Sequence, residues 1–77
     1  MTTPLSEDAE RLRYQLAATP RVSAATLATT MRIDDVALGH ALLQLLEQGV
    51  LSCDPRWGLA PRPGQPRRYW LTGEGLP

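Results

Sequence analysis

The chain has 77 residues, 43% of them hydrophobic, and eight arginines without a lysine balance eight acids, so its formal net charge is zero. That length supports one domain with a thin core, and the charge excludes a global pull toward nucleic acid. A single cysteine, Cys53, excludes an intramolecular disulfide, and no apolar run approaches the roughly 18 residues of a membrane span.

Ser6 suits the cap of a first helix, with Glu7 and Asp8 at its positive end. Leu5, Ala9, Leu12 and Leu16 follow helical spacing, and Pro20 stops the run, which predicts a helix over 6–18. Arg21-Val22 reads as a short extended piece. Ser23 caps a second helix, 23–30, with Val22 and Leu27 placed as a hydrophobic staple. Asp34 caps a third, 35–48, where Ile33 and Leu38 repeat the staple and Gly49 suits a left-handed stop. Leu38, Leu42 and Leu45 define its buried side. Strands are expected at 50–53 and 67–72. Between them, Pro55, Pro61, Pro63 and Pro66 forbid a regular strand through a loop at 55–66, although Trp57-Gly58-Leu59 can add a short rung. The expected fold is α+β, mainly α, as one domain over 1–77 with residues 1–5 flexible. Met1-Thr2-Thr3-Pro4 lacks the basic and apolar regions of a signal peptide. The lone cysteine fits a reducing compartment. The expected location is the cytoplasm.

Ile33, Asp34, Leu38, Leu42, Leu45, Gly49, Val50 and Leu51, followed after the loop by Tyr69, Leu71, Thr72 and Gly75, form a spaced set. It resembles the winged helix-turn-helix regulators of the MarR, ArsR and PadR kind across roughly residues 6–75. The resemblance implies three helices with a small antiparallel β-wing, the loop 55–66 being the wing. It further implies a bacterial, dimeric transcription regulator that binds double-stranded DNA. These positions are mainly core, cap and turn, and a fold by itself does not fix a function.

The outward side of the third helix carries Val36, Gly39, His40, Leu43 and Glu47, with Leu46 at its margin. A DNA-reading helix offers hydrogen-bonding side chains to base edges there. Only His40 and, on the flank, Gln44 can do so here, and Asp35 at the entrance repels phosphate. Val36, Gly39, Leu43 and Leu46 form a candidate protein contact. The charge is unevenly spread: residues 1–49 hold six acids and four arginines, whereas 55–68 hold four arginines and no acid. Arg56, Arg62, Arg67 and Arg68 are therefore candidates for gripping phosphate or a minor groove, since a planar guanidinium binds phosphate with two hydrogen bonds. Arg32, at the turn before the third helix, joins them.

No His/Cys set has metal-ligand spacing, no Gly-rich phosphate loop occurs, and the acids fit helix starts. Neither a catalytic residue, nor a metal, nor a cofactor is expected. Two functional readings stay open. The first is a DNA-binding regulator held mainly by wing arginines. The second is a winged-helix interaction module, with a homodimer or another protein as partner. The small FeoC-type accessory proteins of ferrous-iron transport are similar in length and in the runs 21–27 and 41–49. Their cysteine-rich wing has no counterpart in this chain.

Overall fold

A computed structural model describes residues 5–73. The first helix, α1 (Glu7–Ala18), starts where the Ser6 hydroxyl accepts the Ala9 amide at 3.2 Å. Glu7, Asp8 and Glu10 place negative charge on its first turn. A two-residue strand, β1 (Val22–Ser23), runs into α2 (Ala24–Met31), whose cap is the Ser23 hydroxyl bonded to the Thr26 amide. Arg32 ends α2 in the left-handed region at φ +53°. From α1, Arg11 Nη2 donates to the Met31 carbonyl at 3.0 Å, so a cation covers an orphan carbonyl at the negative end of α2.

The third helix, α3 (Asp35–Glu47), begins with the Asp34 carboxylate accepting the Ala37 amide at 2.8 Å. It ends in a Schellman motif. Gly49, at φ +74°, donates to Leu46, and Val50 donates back to Leu45. That turn sends the chain into β2 (Leu51–Asp54), and β3 (Arg68–Leu71) returns antiparallel to it. The helices and strands sit within a residue or two of their expected places.

The sheet has three strands in the order β1-β3-β2. Leu51 faces Leu71, Cys53 faces Tyr69 and Asp54 faces Arg68, while Val22 pairs with Tyr69 from the other side. Two strands were expected, so Val22–Ser23 is the addition. Trp57-Gly58-Leu59 adds no rung. It lies in a turn closed by the Leu59 amide on the Arg56 carbonyl, with Gly58 at φ +97°.

The core lies between the helices and one face of the sheet. Ala9, Leu12 and Leu16 of α1, Leu27 and Met31 of α2, and Leu38, Ala41, Leu42 and Leu45 of α3 meet Leu51, Tyr69 and Leu71. Leu12, Leu16, Leu27, Leu38 and Leu45 are fully buried, each contributing about 1.5–3 kcal/mol of transfer free energy. Leu5, from the segment expected to be flexible, is half-buried and packs against this core. The rest of the expected flexible segment, 1–4, lies outside the described residues, as does Gly75. Among the described residues, no helix is long and apolar enough to cross a membrane.

Candidate nucleic-acid interface

The β2–β3 loop is built from two short turns. The first spans 56–59. The second is Arg62-Pro63-Gly64-Gln65, where the Gln65 amide reaches the Arg62 carbonyl at 3.0 Å and Gly64 takes φ +77°. Proline second and a positive-φ glycine third are what a type II turn requires. Arg67 braces the loop from inside. Its Nε donates to the Pro55 carbonyl at 3.0 Å, its Nη2 donates to the Leu59 carbonyl, and its guanidinium lies 5.3 Å from the centre of the Trp57 ring. The side chain expected to grip phosphate is thus half-buried in its own loop.

Arg56, Arg62 and Arg68 remain exposed, and none of them makes an ion pair or a side-chain hydrogen bond among the described residues. Arg62 and Arg68 come together on an open groove of about 710 Å³, whose other walls include Asp54, Pro55, Leu59 and Pro66. Asp54 stands opposite Arg68 in the sheet register. Arg56 lies on the first turn, outside this groove. Arg32 is exposed at the α2–α3 turn.

The outward face of α3 is apolar and open. Val36 is 70% exposed and Leu43 42% exposed. A Cβ placed on Gly39 would meet nothing within 4 Å. His40 and Glu47 flank these residues, both exposed. Gln44 lies on the flank of this face. Its Oε1 accepts the Ser6 amide at 2.9 Å, which ties the start of α1 to α3. Leu46 is withdrawn, half-buried against the core. A shallow groove of about 330 Å³ between Ser6, His40, Leu43, Gln44 and Glu47 marks the seam.

Arg21 is a cation that the sequence did not single out. It holds φ +61°, donates its amide to the Tyr69 carbonyl at 2.9 Å, and lays its guanidinium 4.5 Å from the Trp70 ring centre. Trp70 shares the outer sheet face with Arg68, one residue step of the pleat apart from Tyr69 and Leu71. Only the adjacency of Pro20 hinted at an unusual backbone there. Among the described residues, no group of three or more His, Cys, Asp or Glu side chains is placed to hold a metal ion. Comparison with protein-family models, curated proteins and solved structures finds no match.

Proposed function

We propose that the chain is a winged helix-turn-helix protein that binds double-stranded DNA through its β2–β3 loop and acts in transcription regulation in the cytoplasm. The order helix, strand, helix, helix, strand, strand, with β3 central in the sheet, supports the winged-helix assignment. The observation that carries DNA binding is the loop itself. Two turns and the Arg67 brace order a loop whose exposed groove is lined by both Arg62 and Arg68, with Arg56 close in sequence. A pre-ordered loop loses little entropy on docking, and guanidinium groups suit phosphate oxygens. α3 contributes little base reading in this mechanism, because its face is apolar and Asp35 guards its entrance.

The test is a titration of random-sequence duplex DNA at several salt concentrations. Log affinity should fall linearly with log salt, with a slope near −0.9 for each phosphate contacted. Absence of binding at low salt overturns the proposal.

A second reading is favoured by the exposure of Val36 and Leu43 on α3. An apolar strip of this kind marks a protein contact in many domains, and it makes the chain an interaction module.

A further inference from the structure

Arg21 stands in a backbone conformation that is unfavourable for any residue with a Cβ, at φ +61°. Such a conformation persists only where the surroundings hold it, and it gathers at functional positions. Two contacts hold it here. The Arg21 amide donates to the Tyr69 carbonyl at 2.9 Å, and the guanidinium lies 4.5 Å from the Trp70 ring centre. Val22 pairs with Tyr69 and Ser23 with Arg68, so Arg21 stands level with Trp70 at the edge of β3. Stacking occupies only the flat face of a guanidinium, and its N–H donors point outward in the plane. Arg21 is exposed, and its guanidinium makes no ion pair or hydrogen bond among the described residues.

Arg68 and Trp70 alternate with the buried Tyr69 and Leu71, so both belong to the outer face of the sheet. Arg68 also lines the loop groove together with Arg62. Cations therefore run from the loop groove, through Arg68, to Arg21 on its indole. Asp54 is the one acid in the three strands, and it stands opposite Arg68, two residue levels from Arg21. The excess of positive charge along this line complements a polyanion. We infer that the outer face of the sheet is part of the DNA interface, and that Arg21, held over Trp70, contacts a backbone phosphate beyond those reached from the loop. This rests on DNA binding by the β2–β3 loop and extends that site onto β1 and β3.

The test uses the full chain and random-sequence duplex DNA. Arg21→Gly removes the side chain at a position whose positive φ suits glycine. The slope of log affinity against log salt should become shallower by about 0.9, the share of one phosphate. A second measurement reads the sheet face directly. The chain has two tryptophans, so in Trp57→Phe the emission comes from Trp70 alone. Saturating DNA should shield that indole from quenching by acrylamide. A parent slope in Arg21→Gly, or a Trp70 quenched equally with and without DNA, overturns the inference while loop binding stands. A parent chain that binds no duplex at low salt overturns the loop reading, and this inference with it.

Discussion

Arg67 and Trp57 form the internal brace of the β2–β3 loop. The guanidinium lies 5.3 Å from the indole centre while its Nε bonds the Pro55 carbonyl at 3.0 Å. A cation over an indole face gains about 0.5–2 kcal/mol, and hydrogen bonds from a charged donor add about 1.5–3 kcal/mol. Much of this is moderated by solvent, because Trp57 is 47% exposed. The side chain therefore orders a loop that has no strand pairing of its own.

Arg67→Ala should release this loop without unfolding the domain. Hydrogen exchange should quicken across 55–67 and the indole fluorescence of Trp57 should shift toward that of a solvated ring. The loss of stability is expected on the order of 1–2 kcal/mol. An unchanged exchange pattern would show that the prolines alone hold the loop.

Arg62→Ala combined with Arg68→Ala should weaken binding to all duplex sequences alike. The slope of log affinity against log salt should become shallower by about 1–2, since each lost phosphate contact releases about one counterion fewer. Leu43→Ser should leave both quantities near the parent values. A double variant with full affinity and the parent slope would remove these arginines from the interface.

Leu42→Ala should cost about 2–5 kcal/mol, because a buried leucine leaves a cavity that a small core collapses onto only in part. Leu42 is buried between α3 and the other helices, so the melting temperature should fall steeply or the transition should vanish. An unaltered melting curve would contradict the assigned helix face.

Two glycines predict opposite signs. A Cβ at Gly39 or at Gly49 meets nothing within 4 Å, but only Gly49 has a positive φ, at +74°. Gly39→Ala should stabilise by about 0.5–1 kcal/mol, by removing a flexible residue from a helix interior. Gly49→Ala should destabilise by about 1–2 kcal/mol, since an L side chain strains that backbone. Thermal melts at concentrations where the chain is monomeric check both.

Asp34→Ala should cost about 1 kcal/mol, as the Ala37 amide loses the carboxylate that accepts it at 2.8 Å. Asp34→Ser should recover most of that stability. Equal melting of all three forms would show that the cap contributes nothing.

The sequence by itself determined the three helices, their caps and stops, and the buried face of α3. Ser6, Ser23, Asp34 and Gly49 act on amides and carbonyls three to five residues away, and such short-range bonds are written in local spacing. Leu38, Leu42 and Leu45 declare their face by period alone. Only the tertiary structure decided that Val22–Ser23 is a strand. Its two residues are too few to show an alternation, and its partner Tyr69 is far along the chain. The same holds for the candidate site. The exposure of Val36 and Leu43 followed from helical phase. Arg67 turned inward onto Pro55, Leu59 and Trp57, and Gln44 turned toward Ser6, through contacts that depend on how the loop and the N-terminal helix fold back. An arginine's identity is local, but whether its guanidinium meets solvent or a carbonyl is decided by chain segments that only folding brings together.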